Sequence, residues 1–381
     1  MKKFLAKEEI LKILGLFISW KIIILLSAVI ALNFIPLYSN HLLGGGLQNY
    51  EKAPLIFGWG NFDGEHYTAI AIRGYKDLEQ AFFPLYPILI SLFFTVFENS
   101  FYNAHAAGLL ISNISFLLSL FVFYKLLKLD YEKSLSFFIL AVFLVFPTSF
   151  FFGAIYNESL FLLFVLLSFY FARKGSFLLG SIFAIFASST RVFGILLFFS
   201  LILEVYKQRA SLKNYFYILF SPLGTLLYMA YLYFKIGDPI AFYNLQTVVG
   251  QHHQKGIVLF PQVLFRYTKI LLTVSPQASI YPTLLLEFTT GVLFFVLPII
   301  GYFKKIRLSY LFFAFSGMLL TTIQGSFSSL PRYTLVLFPS FIILGLILDK
   351  APRYLKIVYF LISLSVLIFE TMMFIRGYWV A

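Results

Sequence analysis

The stretch FGWGNFDGEHYTAIAIRGY, residues 57–75, is a polar island between two long apolar segments. It contains the carboxylates of Asp63 and Glu65, the imidazole of His66 and the guanidinium of Arg73. Only 12% of the 381 residues are charged, so this concentration of ionisable groups is unusual for the chain. Ionisable groups at a membrane are costly to place and often functional. The island therefore predicts a functional site, and the apolar segments around it predict the fold.

The composition indicates a membrane protein. Hydrophobic residues make up 60% of the chain, which has 50 Phe, 25 Tyr and a mean hydropathy of +0.89. Apolar runs of roughly 17–25 residues, enough to cross a hydrocarbon core of about 30 Å, recur along the whole sequence. The chain has no cysteine, which excludes disulfides and thiolate metal sites. These features predict an all-α polytopic membrane protein.

The net charge of +13 comes from basic residues in short loops between apolar runs. Such clusters are typical of cytoplasmic loops rather than of nucleic-acid binding, so we expect no nucleic-acid partner. The basic loops contain Arg173/Lys174, Lys207/Arg209/Lys213, Lys304/Lys305/Arg307 and Lys350/Arg353/Lys356. The alternate loops contain the island, Asn157–Glu158, Thr190–Arg191, 237–239 and 329–332. The positive-inside rule places the second set outside, and nearly all the chemically interesting residues lie in it.

This alternation predicts about eleven transmembrane helices. It requires that the segment 81–97, which is short for a full crossing, forms a re-entrant or interfacial helix. We expect a single membrane domain over 1–381, with the catalytic motif in an outer loop at 38–80 and a second outer loop at 238–281. The adjacent pair His252/His253 lies in that second loop, without nearby carboxylates, and is a weak metal-ligand set.

Asp63 is the predicted catalytic residue. A carboxylate in a loop between aromatic stretches can take the proton of an acceptor hydroxyl as general base. The alternative is a capping or loop-tying aspartate. Glu65 could assist a metal or bind a sugar hydroxyl, although an extended loop would point it away from Asp63. His66 could contact a leaving phosphate or serve as an ordinary hydrogen-bonded histidine.

Arg191 and Arg332 are candidate phosphate ligands. Each lies between an apolar run and an outer turn, and guanidinium groups bind phosphate oxygens bidentately with a fixed charge. The alternative is that they reach toward lipid headgroups or pair with Glu158 or Asp238. Glu158 could pair with an arginine or bind the acceptor. Asp238, before a proline, is expected to cap a turn.

Together these groups predict an outer-face cavity with a base, phosphate-binding cations and many aromatic rings. Aromatic rings suit sugar faces, and the apolar flanks suit a lipid chain. This combination fits the transfer of a sugar from a lipid phosphate to a hydroxyl of a lipid or glycan acceptor. The mechanism requires no cofactor, although it is compatible with a divalent metal. The alternative function is a lipid-linked sugar transporter or flippase, for which polar groups at the bilayer midplane and paired halves would be typical.

The motif FDGEHYTAIAIRGY resembles the signature of the PIG-V type of GPI mannosyltransferase 2 and its prokaryotic relatives, which belong to the GT-C class of glycosyltransferases. The family's Trp-Asp pair corresponds to Phe62–Asp63, followed by Tyr67. Further matching blocks follow in order: AFFPLYPIL (81–89), AGLLISN (107–113), NESLFLLF (157–164), STRVFGILL (189–197), GDPIAF (237–242) and LPRYTLVLFP (330–339). The resemblance thus covers nearly the full length.

The resemblance implies a GT-C fold, a polyprenyl-phosphate sugar donor, typically carrying mannose, and an inverting transfer on the outer face. It also implies that Asp63 is the essential acidic residue and that Tyr67 lies among the substrate-binding residues. Phe62 replaces the expected tryptophan, and His66 occupies a position that is often aromatic. We expect a multi-pass protein of a bacterial or archaeal plasma membrane, with the active site facing outward.

Overall fold

Every regular element that the computed structural model describes is helical. The described residues are 5–38, 43–94, 100–245, 257–278, 280–323 and 325–380. This confirms the all-α prediction for that part of the chain. His252 and His253 lie outside the described residues, as does part of the predicted outer loop 238–281.

The helices follow one another with short connections. The first ten are α1 (Lys7–Phe34), α2 (Leu47–Lys52), α3 (Pro54–Phe57), α4 (Asp63–Arg73), α5 (Leu85–Phe94), α6 (Phe101–Leu127), α7 (Lys133–Leu144), α8 (Glu158–Arg173), α9 (Phe177–Thr190) and α10 (Leu196–Lys207). The remainder are α11 (Leu212–Ile218), α12 (Leu223–Ile236), α13 (Ala241–Asn244), α14 (Phe260–Thr273), α15 (Tyr281–Phe303), α16 (Leu308–Thr322), α17 (Leu330–Tyr333), α18 (Phe338–Lys350) and α19 (Arg353–Ile375). Short 3₁₀ segments occupy Gly58–Gly60, Glu79–Ala81, Ser149–Gly153, Val192–Ile195 and Thr334–Val336.

Five helical segments in the described residues are long and apolar enough to cross a membrane. They are α1, α6, α11 together with α12, α15 and α19. A sixth forms if Leu330–Val336 and Phe338–Lys350, which meet at an angle of 89°, make one broken span. The chain is thus a multi-pass membrane protein, but the predicted number of eleven spans is not confirmed.

Helix α1 shows how the apolar sequence is divided between the core and the surface. Ile13, Trp20 and Ala28 recur on one face, are buried, and pack in the main core, where α1 contacts α6 and α19. Leu26 and Phe34 are exposed on the other side. A helix that is apolar all round fits an environment in which the outer face contacts lipid rather than water.

The segment 38–80, predicted as an outer loop, is largely helical in its described part. Helices α2, α3 and α4 lie within it. Helix α4 begins at Asp63, with Asp63 and Glu65 in its first turn, where negative charge complements the positive end of the helix dipole. It ends at Gly74, which has a φ of 76° that favours glycine. These capping signals outweigh the loop-like polarity of the motif.

Helix α5 contains the described helical residues of the segment 81–97. Its ten residues span about 15 Å at 1.5 Å per residue, roughly half of a hydrocarbon core. It packs on α4 and α6, beside the polar island. Its assignment as a re-entrant or interfacial helix remains a prediction.

Residues of the predicted basic loops meet at one end of the bundle. The carboxylate of Glu204, which is fully buried, accepts hydrogen bonds from Arg307 at 2.7 Å, Ser309 at 2.8 Å and Gln208 at 2.8 Å. Nearby, Arg173 pairs with an aspartate of the α6–α7 connection at 2.7 Å. A buried carboxylate with three donors ties α10 to α16.

We predict that Glu204→Ala lowers the free energy of unfolding by about 3–5 kcal/mol, because it leaves the Arg307 guanidinium without its buried counter-charge. Thermal unfolding of the detergent-purified protein measures the effect. Glu132→Ala, at an exposed site, is the matched control and should unfold like the wild type. Equal melting temperatures for all three proteins would contradict the role of this carboxylate.

Candidate active site

A cavity of about 970 Å³ opens where the polar island meets the ends of several helices. Asp63, at the start of α4, lies on its wall together with the start of α8 and the segment after α9. Helices α14 and α15 and the turn that contains Arg332 complete the lining. Turns that lie more than two hundred residues apart in the sequence therefore converge on one space.

Four charged side chains form an alternating chain on the cavity wall. The Asp63 carboxylate is 2.6 Å from Nη1 of Arg332, and Nε of Arg332 is 3.7 Å from Oε1 of Glu158. The same Glu158 oxygen is 2.7 Å from Nη1 of Arg191. Nη1 of Arg191 also donates to the side chain of Asn157 at 3.2 Å. The two negative and two positive charges of this chain compensate one another.

Burial makes these pairings strong. Only Asp63 is appreciably open, with 31% of its side chain exposed, whereas Glu158 is at 2% and both arginines are at 10% or less. Charges removed from water require a partner, since an isolated buried ion costs several kcal/mol. Asp63 is therefore the member of the chain that a substrate in the cavity can reach most easily.

Aromatic rings hold the two guanidinium groups. The Tyr333 ring lies 4.9 Å from the Arg332 guanidinium and 5.2 Å from that of Arg191. Arg332 also donates to the Tyr333 hydroxyl at 3.1 Å and lies 5.2 Å from the Tyr156 ring. Such cation–π contacts fix the position of a guanidinium without neutralising it.

Hydrogen bonds between segments explain why these turns meet. The Asn157 amide, at the start of α8, donates to the carbonyl of Thr190 at 2.9 Å and so ties α8 to the end of α9. The Tyr156 hydroxyl donates to the carbonyl of Asn61 at 2.9 Å, just before α4. Phe62, between Asn61 and the first residue of α4, has a φ of 57°, which is unusual for a residue other than glycine. Strained backbone of this kind clusters at functional sites.

His66 lies at the cavity edge in an ordinary paired environment. Its Nδ1 is 3.6 Å from the Glu79 carboxylate, and its ring stacks on Phe82 at 5.0 Å. Burial alone would raise the pKa of Glu79, but hydrogen bonds from Arg73 and the backbone amide of Lys76 hold that pKa below its usual value. The carboxylate is thus a fixed negative charge beside the imidazole.

Glu65 is the predicted site residue that the structure does not bring to the cavity. Because α4 is a helix, Glu65 is rotated by about 200° from Asp63, so the two carboxylates point in nearly opposite directions. Burial raises the pKa of the Glu65 carboxyl, and one of its oxygens is buried without a hydrogen-bond partner among the residues that the structure describes. No group of three or more His, Asp or Glu side chains in the described ranges is arranged to hold a metal ion.

The structure brings the other predicted site residues together around one cavity. Asp63, His66, Tyr67, Glu158, Arg191 and Arg332 all line the same cavity. Asp238 instead accepts hydrogen bonds from the Ile240 amide at 3.0 Å and from Asn244 at 2.8 Å, which confirms its role in a turn.

Several lining residues were not assigned to the site from the sequence. They include Asn157, Tyr333, Arg266, Tyr267, Glu287 and Trp379. The Glu287 carboxylate accepts from Tyr267 at 2.7 Å, which fixes α15 against α14. Asn157 and Tyr333 could have been assigned to the cavity from the sequence, because they are the neighbours of Glu158 and Arg332. Glu287 is surrounded by apolar residues, and nothing in the sequence indicated that it lines the cavity.

Comparisons with known proteins give a weak structural likeness. No family model and no curated protein matches the sequence. The chain is similar to two crystal structures of the Archaeoglobus fulgidus oligosaccharyltransferase, one tethered to an acceptor peptide containing the NVT sequon and one in complex with Zn and sulfate. Both share 12% identity, with TM-scores of 0.44 and 0.42. The matches cover 95% and 94% of this chain but only 56% and 53% of those structures, so the chain spans about half their length.

We predict strong coupling between Glu158 and Arg191. Glu158→Gln and Arg191→Gln should each lower the free energy of unfolding by about 3–5 kcal/mol, since each leaves a buried charge with a lost partner. In the double variant, the loss should fall short of the sum by about 0.5–3 kcal/mol. Thermal unfolding of the four proteins measures this cycle. Strict additivity would show that the 2.7 Å contact contributes nothing to stability.

Proposed function

We propose that the protein is a membrane glycosyltransferase of the GT-C class that its sequence resembles. It would transfer a sugar, typically mannose in the family it resembles, from a polyprenyl-phosphate donor to a hydroxyl of a lipid or glycan acceptor, with inversion at the anomeric carbon. The observation that carries the proposal is the cavity itself. It places an accessible carboxylate, Asp63, in contact with one of two buried guanidinium groups, Arg332 and Arg191, in an aromatic setting.

In the proposed reaction, Asp63 accepts the proton of the acceptor hydroxyl. The hydroxyl oxygen forms a bond to C1 of the sugar as the bond from C1 to the phosphate oxygen breaks, and that oxygen keeps the electron pair. The negative charge thereby moves from Asp63 to the departing phosphate. A positioned carboxylate suits this task because it lies on the cavity wall with its side chain partly exposed.

Arg332 can stabilise the negative charge as it moves from Asp63 to the phosphate. It contacts the Asp63 carboxylate at 2.6 Å, so it can turn from Asp63 to the phosphate as Asp63 becomes neutral. Arg191, held by Glu158 and Asn157, supplies a second fixed positive charge on the same wall. Preorganised cations directed at developing negative charge are among the largest contributions to catalysis.

The apolar part of the cavity suits the lipid chain of the donor. Ile270, Leu284, Leu320 and Ile323 line it on α14, α15 and the end of α16. The rings of Phe82, Phe242 and Tyr243 supply flat apolar surfaces near the polar end. We further propose that the cavity opens on the outer face of the membrane, as the distribution of basic loops suggests.

We predict that Asp63→Asn lowers the rate of sugar transfer by roughly 10²–10⁴-fold, the usual contribution of a positioned base. The assay measures the release of sugar from polyprenyl-phosphate-mannose. Polyprenyl phosphates that carry glucose, galactose or N-acetylglucosamine are assayed in parallel. Asp77→Asn changes an exposed aspartate of the same segment outside the cavity and is the matched control. Normal turnover by Asp63→Asn would contradict the role of Asp63. If no donor is consumed by the wild type, a lipid-linked sugar transporter becomes the function to test.

We also predict that removing divalent metal ions with EDTA leaves sugar transfer within about twofold. The two guanidinium groups provide the positive charge for the phosphate, and the helical geometry separates Asp63 from Glu65. Turnover is measured with EDTA and after adding back Mg²⁺ or Mn²⁺. Loss of activity that either metal restores would replace this mechanism with a metal-dependent one.

A further inference from the structure

The hydroxyl of Tyr67 lies in the cavity without a hydrogen-bond partner among the described residues. Its ring is 5% exposed and is held edge-to-face by Phe82 and Tyr86, each at 5.1 Å between ring centroids. Buried tyrosine hydroxyls are usually hydrogen-bonded. A ring this firmly packed, with its polar end unpaired, is suited to hydrogen-bond a ligand.

The Tyr67 hydroxyl keeps its proton at neutral pH and can therefore donate. Burial and the negative charge of Glu158 raise the pKa of Tyr67 well above its ordinary value, against the opposing influence of Arg191. The charges of Asp63 and Arg332 also act on this hydroxyl. It is therefore positioned among the four charged groups of the cavity wall.

Glu158 carries a second unused group. Its Oε1 contacts Arg191 at 2.7 Å, whereas its Oε2 is buried and has no hydrogen-bond partner in the described part of the chain. A free carboxylate oxygen requires a donor and repels an anion, so a phosphate group does not suit this position. A neutral hydroxyl suits it better, because it can accept from Tyr67 and is not repelled by the charge of Glu158.

The position of Tyr67 relative to Asp63 indicates that its ligand is a hydroxyl of the transferred sugar. Tyr67 follows Asp63 by four residues on the same face of α4, about 6 Å farther along the helix axis. This separation is comparable to the width of a sugar ring. If Asp63 contacts the attacking hydroxyl at C1, Tyr67 is beside the ring that is being transferred.

We propose that Tyr67 donates a hydrogen bond to one ring hydroxyl of the transferred sugar. This inference rests on the proposed glycosyltransferase function and names a residue that selects the sugar. A site built to hydrogen-bond a hydroxyl strongly rejects an analogue that lacks it, because the buried polar groups are left unpaired.

The test changes the protein and the sugar donor separately and together, as in a double-mutant cycle. The donor that the wild type uses best among the mannose, glucose, galactose and N-acetylglucosamine forms is compared with its monodeoxy analogues. We expect one analogue to lower the wild-type kcat/KM by roughly ten- to a hundredfold. Tyr67→Phe should lose activity on the parent donor, chiefly through KM, and should use that same analogue within about threefold of the parent.

Tyr86→Phe is the matched control. It removes a buried hydroxyl of the neighbouring ring, which hydrogen-bonds to Gly108 and Ser112 outside the cavity lining. It should retain the full discrimination of the wild type against the deoxy analogue, whatever its effect on stability. Thermal unfolding of both variants shows whether the fold is intact.

Two results would contradict the inference but leave the proposed glycosyltransferase function intact. Either the wild type uses every monodeoxy donor as well as the parent, or Tyr67→Phe discriminates as strongly as the wild type. The first result stands on the wild type alone, so it does not depend on the folding of any variant. Failure of the wild type to consume any donor would instead contradict the proposed function.

Discussion

The pairing of four charges, three of them buried, is the constraint on which the site depends. Asp63, Arg332, Glu158 and Arg191 come from four separate turns, and each needs the next to offset the cost of leaving water. Their attraction is strengthened by the apolar bundle around them, where electrostatic interactions are screened less than in water. The helices must therefore pack so that these turns meet, and the cavity forms where they do.

This constraint also connects stability with the proposed chemistry. The charges are balanced within the protein, so the cavity is stable before a substrate binds. A phosphate or a hydroxyl that enters must exchange with the existing contacts, and Asp63 is the most accessible point for that exchange. The Tyr67 hydroxyl, which has no hydrogen-bond partner among the described residues, adds hydrogen-bonding capacity beside the pairs. Binding and catalysis can then use the same few side chains that hold the turns together.

The sequence was sufficient for the helical membrane class and for much of the site. Composition fixed the class, and the rarity of charged residues made Asp63, Glu158 and Arg191 conspicuous in an apolar chain. It was insufficient for the pairings, which depend on long-range packing. The polarity of 57–75 suggested a loop, whereas the structure has the helix α4 there, with carboxylates in its first turn and Gly74 at its end. The rotation along this helix takes Glu65 away from the cavity. Several apolar helices are shorter than a full membrane crossing, so the number of transmembrane spans could not be predicted from the sequence.

The most direct test of the account is a structure of the protein in a lipid nanodisc with a non-hydrolysable phosphonate analogue of polyprenyl-phosphate-mannose. The account predicts that the phosphonate oxygens contact Arg332 or Arg191, with the anomeric carbon facing Asp63 and a ring hydroxyl accepting from Tyr67. A bound analogue whose phosphonate lies away from both arginines, or whose sugar lies outside this cavity, would contradict it.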